Sequence, residues 1–295
     1  MGVDVHAFRL LQYAAAKAPL GETATLGRQS LYVDDTLMQA EFGLPAMKHY
    51  GPFCEELLIE QFGASSVTSF DASDYEKATV VHDMNKPLHH DRTYDTVLDF
   101  GTLEHVFDVA AALGNVAALC KAGGRIIHVL PANNYSGHGF WQFSPELFFS
   151  LYSAPNGFAG TEVYIAELDD DLHWWRAATP ANAVRVEYTS ASRSYVIALT
   201  TKQAALTRQD VQQSDYVANW GGVQHQATPS VLSARISLRA VLKRLPLAWR
   251  LAAALPLAGN MHRDAWMHRL VNGNRHFTKV RVASLIASGN APIRS

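Results

Sequence analysis

The sequence predicts an α/β fold: a Rossmann-like, mostly parallel sheet with helices on both faces, followed by a basic, mainly helical C-terminal extension. Three observations lead there. Between Glu22 and Thr200, short β-rich runs alternate with helical stretches, the rhythm of parallel strands joined by crossover helices. The runs VTSFD, TVVHD and YDTVLDFG close on an acid or a glycine, where the ligand-contacting loops of an open α/β sheet lie. The charge is split: residues 1–215 hold 14 basic against 26 acidic side chains, net −12, whereas residues 216–295 hold 11 basic side chains against the single acid Asp264, net +10. The expected organisation is therefore a Rossmann-like domain over 1–215 and a basic extension over 216–295.

In chain order, strands are expected at 24–27, 67–70, 79–82, 96–100 and 125–130. Residues 185–189 and 195–200 are expected to form an antiparallel pair, on β-branched content alone. Helices fall between them. FCEELLIEQF places Phe53, Leu57 and Leu58 on one face and stops at Gly63; residues 107–121 are expected to stop in the same way at Gly123 and Gly124. No internal repeat is visible.

Composition narrows the function classes. Of the 295 residues, 48% are apolar and 18% charged, which excludes collagen-like and wholly disordered chains. Two distant cysteines, Cys54 and Cys120, make no disulfide framework and fit a reducing compartment. The opening MGVDVHAFRLLQ has an acid and no basic region before an apolar run, unlike a secretory signal, and no stretch reaches bilayer-spanning length. A cytoplasmic protein is expected, with peripheral attachment at the inner membrane face as an option.

Three acids sit at expected strand ends: Asp71, Asp83 and Asp99. In an open parallel sheet these tips line one crevice, where a carboxylate can accept both hydroxyls of a ribose or the amino group of an adenine. A strand-end Asp also serves to cap the turn that follows it.

The stretches SFDASDYEKATVVHDMNKPL, YDTVLDFGTLEHVFDVAAALGNVAALCKAGGRIIHVLP and ANNYSGHGFWQFSPELFFSLY together resemble the class I S-adenosylmethionine-dependent methyltransferases, and in particular those encoded among bacterial polysaccharide and glycan genes. The resemblance implies S-adenosyl-L-methionine as cofactor and S-adenosyl-L-homocysteine as product. It implies that Asp71 holds the cofactor ribose and that Asp83, with Met84 and Asn85, contacts the adenine. Phe100, Gly101 and Thr102 would lie under the methionine part and face the acceptor, with Glu104 and His105 on the turn that follows. The first loop departs from the family. A typical member has Asp-x-Gly-x-Gly there, so that the backbone can approach the cofactor. Here the text is ETATLGRQSLYVDD, with Gly27 followed by Arg28 and Gln29. The Arg28 guanidinium can pair with the methionine carboxylate in place of backbone donors. The other reading of this loop is a binding protein that kept the fold without catalysis.

Methyl transfer from a sulfonium needs alignment, plus removal of a proton when the acceptor is a hydroxyl. His105 and His138 are the candidate bases, since imidazole titrates near neutral pH. His138 lies in NNYSGHGFWQFSP, where Gly137 and Gly139 allow a tight loop and Phe140, Trp141 and Phe143 can stack on a sugar face or pack into the core. The histidines show no zinc-ligand spacing, so no metal is assigned. The expected acceptor is a sugar in a polysaccharide, glycolipid or nucleotide-sugar precursor; a small-metabolite acceptor is the alternative. Residues 231–251 read as a basic amphipathic helix whose apolar arc suits an anionic membrane surface, the acidic catalytic domain, or a second copy in a homodimer. No nucleic-acid motif accompanies that charge.

Overall fold

The computed structural model describes residues 2–43, 50–180, 186–206, 211–220 and 276–289. Strand β1 (Gly2–Val3) leads into α1 (Val5–Lys17), whose first turn is closed by Asp4: its carboxylate accepts the His6 and Ala7 N–H groups, both at 3.0 Å. β2 (Gly21–Leu26) and β3 (Ser30–Leu31) follow, then α2 (Asp35–Phe42) and α3 (Glu55–Phe62). Next come β4 (Ala64–Asp71), β5 (Val80–Val81) and β6 (Tyr94–Asp99). After a single turn, Leu103–His105, the chain forms α4 (Val109–Leu119), β7 (Cys120–Pro131) and α5 (Pro145–Leu151). β8 (Phe158–Glu167), β9 (His173–Ala177), β10 (Ser194–Lys202), α6 (Ser214–Trp220), β11 (Phe277–Arg281) and α7 (Val282–Gly289) complete the described elements.

Nine strands form one sheet in the order β11, β9, β8, β10, β7, β6, β2, β4, β5. The five from β7 to β5 are parallel, and the remainder run antiparallel to their neighbours. From β2 the chain moves outward through β4 to β5, then returns to the other side of β2 with β6 and β7. The direction of winding therefore reverses at the β2–β6 neighbours, which opens a crevice at their carboxyl ends. Central strands are buried on both faces: Leu98, Ile127 and Val129 pack with α1 and α3, while Val97, Ile126 and Leu130 pack with α4 and α5. Helices thus cover both faces of a mostly parallel sheet, a Rossmann-like arrangement.

The expected strands at 24–27, 67–70, 79–82, 96–100 and 125–130 correspond to β2, β4, β5, β6 and β7. Gly63 ends α3 in the left-handed conformation, φ +70°. α4 stops earlier than Gly123. It ends at Leu119, where Lys202 Nζ donates to the Ala117 and Cys120 carbonyls, each at 2.7 Å, and caps the last turn from a distant strand. The KAGG segment belongs to β7, in an irregularity of its pairing with β6; a Cβ at Gly124 would stand 2.9 Å from Cys120 Sγ. The expected pair of 185–189 with 195–200 does not form. Residues 186–189 are not in a strand, and β10 pairs instead with β7 and β8. Val186 and Tyr188 are apolar because they pack on the core, not because they join a ladder.

α6 runs across the boundary expected at 215, fastened to α5 by the Ser214 N–H on Glu146 Oε1 at 2.7 Å. The far end of the chain returns to the sheet. β11 pairs with β9 from Phe277 opposite Ala177 to Arg281 opposite His173, and Val282, Leu285 and Ile286 of α7 join the core around α1. The basic segment 231–251 lies outside the described residues. No helix among the described residues is long and apolar enough to cross a membrane.

Candidate functional site

The carboxyl ends of β2, β4, β5 and β6 surround a cleft of about 380 Å³. At the end of β2 the backbone must turn sharply, and Gly27 does so with φ +72° while its N–H donates to the Phe70 carbonyl at 2.6 Å. A Cβ there would stand 2.8 Å from Thr102 Oγ1 and 3.3 Å from Gln29 Nε2, so position 27 accepts glycine alone without rearrangement. Gln29 folds back beneath the loop: its Nε2 donates to the Leu26 carbonyl, and its buried Oε1 has no hydrogen-bond partner. Arg28 lines the cleft but is already engaged. Its Nε donates to Glu55 Oε1 at 2.6 Å, its Nη1 to the Glu76 carbonyl at 2.8 Å, and its guanidinium lies 4.0 Å from the Phe53 ring centre.

Asp71, at the end of β4, presents a half-buried carboxylate to the cleft; its Oδ1 accepts the Ser73 N–H at 3.3 Å. After β5, Asp83 Oδ1 accepts the backbone N–H of Asn85 at 3.0 Å and its side-chain amide at 2.7 Å. Those two bonds, with Lys86 nearby, hold the Asp83 carboxyl below its ordinary range. Asn85 Oδ1 in turn accepts the Asp108 N–H at 2.9 Å, which fixes this turn against the start of α4. Met84 is buried beneath it, held by Asn115 of α4.

Two expected residues lie elsewhere. Asp99 does not line the crevice: it is fully buried, with Oδ2 2.8 Å from His128 Nδ1, and His128 Nε2 is 2.7 Å from the Tyr152 hydroxyl. Asp99 is the last residue of β6, and its side chain lies on a buried face of the sheet; there its Oδ1 accepts the Thr102 N–H at 3.0 Å and supports the loop from below. Phe100 is buried in the core, whereas Gly101 and Thr102 reach the cleft; Thr102 Oγ1 donates to the Leu26 carbonyl at 2.7 Å and ties the β2 and β6 loops together. Tyr32, Glu76 and His82 also line the cleft and were not expected to.

Beyond Thr102 the loop of 133–144 closes on the Leu103–His105 turn. The Phe140 and Trp141 N–H groups donate to the Glu104 carbonyl at 2.6 and 3.3 Å, and Trp141 Nε1 donates to the Val106 carbonyl at 2.9 Å. This brings His138 to His105, ring centres 5.1 Å apart, and places the Nε2 of each 3.6 Å from Glu104 Oε1. The Glu104 side chain is fully buried and neither carboxylate oxygen has a hydrogen-bond partner. Burial, with Asp99 adding its charge, pushes the Glu104 carboxyl up to about 8. Burial also lowers both imidazoles from their ordinary value, His138 adding to the effect on His105, which keeps both neutral near pH 7. His105 borders the cleft; His138 reaches it through this cluster. No spacing rule pairs residues 105 and 138, so the cluster was legible only as two separate histidines. Phe143 packs in the core against Phe148, whereas Phe140 remains 65% exposed beside Phe107, 71% exposed, their rings edge to face at 5.8 Å.

Residues 49–193 match the model of a family described as a methyltransferase domain. That match begins downstream of the Gly27 loop. No curated protein matches the chain. Among solved structures it is similar to the YcgJ protein of Bacillus subtilis, with 11% identity over 68% of this chain and 99% of that one, TM-score 0.38. It is similar too to the N-methyltransferase NodS of Bradyrhizobium japonicum in complex with S-adenosylhomocysteine, 9% identical over 67% and 85%, TM-score 0.36. A third is an rRNA methylase of Streptococcus thermophilus, 9% identical over 69% and 99%, TM-score 0.34.

Proposed function

We propose that this S-adenosylmethionine-dependent methyltransferase delivers the methyl group to a hydroxyl oxygen of a sugar, in a polysaccharide or in its lipid- or nucleotide-linked precursor. The observation that carries the reading is the position of His105, which borders the cleft and at the same time faces Glu104 and His138. One cleft then joins a cofactor seat to a group able to activate an acceptor hydroxyl.

The residues at the strand ends suit the cofactor. Gly27 offers an approach that a Cβ would fill, Gln29 Oε1 is a buried acceptor in want of a donor, and Asp71 offers an acceptor pair for ribose hydroxyls. Asp83, Met84 and Asn85 form a rigid turn for the adenine, and Gly101 and Thr102 floor the methionine end. When bound, S-adenosylmethionine supplies a methyl group on a positively charged sulfur. Glu104, His105 and His138 activate the acceptor oxygen, in keeping with a transfer that needs little else from the protein. The exposed rings of Phe107 and Phe140, with Trp141 anchored to Val106, give an apolar rim on which a sugar face can stack.

The test is an acceptor panel: sugars and nucleotide sugars against phenols and amines, each incubated with the protein and S-adenosylmethionine and followed by mass for the gain of one methyl. Methylation confined to sugars supports the reading. Methylation of phenols or amines with sugars untouched replaces it with a small-metabolite acceptor.

A further inference from the structure

We propose that Glu104, His105 and His138 form a binding site for one divalent transition-metal ion, of the zinc, cobalt or iron(II) type, beside the methyl-transfer cleft. The three residues each offer a ligand atom, and these atoms lie within 4.8 Å of one another. Glu104 Oε1 is 3.6 Å from each Nε2. That is too long for a hydrogen bond, yet close to the ligand-to-ligand spacing of about 3.3–3.4 Å that tetrahedral bonds of ~2.0–2.1 Å require.

A second observation is independent of the distances. Both Glu104 oxygens and His138 Nε2 are buried and lack any hydrogen-bond partner. Buried polar atoms of native proteins are satisfied as a rule, and a buried carboxylate above all. A single cation between them would satisfy Glu104 and His138 together.

The site is also held in shape without the ion. Gly139 packs so closely on the Glu104 backbone that a Cβ would stand 2.6 Å from its carbonyl oxygen, and the Phe140 and Trp141 N–H groups bond that same carbonyl. The loop carrying His138 is thereby fixed to the turn carrying the other two ligands. Two imidazoles and one carboxylate suit zinc, cobalt and iron(II); magnesium and calcium take oxygen ligands. Three protein ligands leave a coordination position for water or an acceptor hydroxyl, whose acidity a bound cation raises. This role, though not the site, rests on the O-methylation reading above.

The full chain, stripped of metal with a chelator, would be titrated with Zn²⁺ by calorimetry, with Mg²⁺ as the control, and with Co²⁺ followed by its visible absorption. The expected result is one equivalent of Zn²⁺ at micromolar affinity or tighter, a Co²⁺ spectrum of low coordination number, and no heat from Mg²⁺. Glu104→Gln and His138→Ala should each weaken Zn²⁺ binding about tenfold or more while S-adenosylmethionine affinity stays within about twofold. His138 sits on a loop and is partly exposed, so that variant also guards against a fold lost through Glu104. No Zn²⁺ binding, or binding that both variants leave unchanged, would overturn the site. Sugar methylation that persists in the chelated protein would overturn the ion's role and leave the sugar reading standing; Zn²⁺ bound as expected with no sugar methylated would do the reverse.

Discussion

Gly139 lies against the backbone of Glu104, its φ of +71° and its missing side chain together allowing an approach that a Cβ would bring to 2.6 Å from a carbonyl oxygen. This contact decides where His138 stands, because the neighbouring Phe140 N–H reaches the same carbonyl. Two segments that are far apart in the sequence thus become one side-chain cluster.

Gly139→Ala should therefore separate His138 from Glu104. A side chain there meets rigid backbone in a conformation that L-residues avoid, at a cost of about 1–3 kcal/mol. The expected outcome is a kcat lowered at least about tenfold, with S-adenosylmethionine affinity within about twofold, since the residues proposed to hold the cofactor sit on other loops. Steady-state kinetics with calorimetry checks both.

Arg28 has two claims on it, the cofactor carboxylate and the Glu55 ion pair at 2.6 Å. If its guanidinium serves the cofactor, Arg28→Ala weakens S-adenosylmethionine binding by about tenfold or more, in the range of a lost charge-assisted hydrogen bond. Glu55→Gln should then leave the affinity within about twofold. Equal losses in the two variants would show that Arg28 acts by bracing the loop.

The Asp99, His128 and Tyr152 chain is fully buried, with contacts of 2.8 and 2.7 Å. His128→Ala leaves the buried Asp99 Oδ2 without its partner and opens a space beside Phe148, which should lower stability by roughly 3–5 kcal/mol. Tyr152→Phe removes one hydrogen bond and should cost about 1 kcal/mol. Urea unfolding gives both values.

At the far edge of the sheet Asp170 receives Lys279 Nζ at 2.8 Å and His173 Nδ1 at 2.9 Å. Burial opposes its ionisation, but Lys279, His173 and the Leu172 N–H outweigh that and hold its pKa at about 2. A carboxylate depressed from 3.8 stabilises the fold above that value and loses the contribution as pH falls toward 2. The protection of the β11 amides against hydrogen exchange, taken relative to their intrinsic rates, should therefore fall between pH 4 and pH 2 in the native protein, and Asp170→Asn should remove that dependence.

The parallel half of the sheet was legible because its strands are short apolar runs that close on an acid or glycine, the mark of burial on both faces. The same signal misled at 186–189, since Val186 and Tyr188 are apolar through side-chain packing, and apolarity does not name a backbone partner. The end of α4 was misplaced because Lys202, remote in sequence, caps it. At the site, Gly27, Asp71 and Asp83 were legible as loop residues facing a crevice. Asp99 looked the same in sequence, but its inward direction depends on the last pleat of β6. The partnership of His105 with His138 depends on the loop contact at Gly139, which no local spacing encodes.

Titration calorimetry of the purified chain with S-adenosylmethionine, then with S-adenosylhomocysteine, tests the account most directly, because every role assigned at the strand ends depends on that ligand. Binding of both near micromolar affinity, reduced at least about tenfold by Gly27→Ala, is the predicted result. No heat with either ligand from the folded protein, or an affinity indifferent to Gly27→Ala, would contradict it.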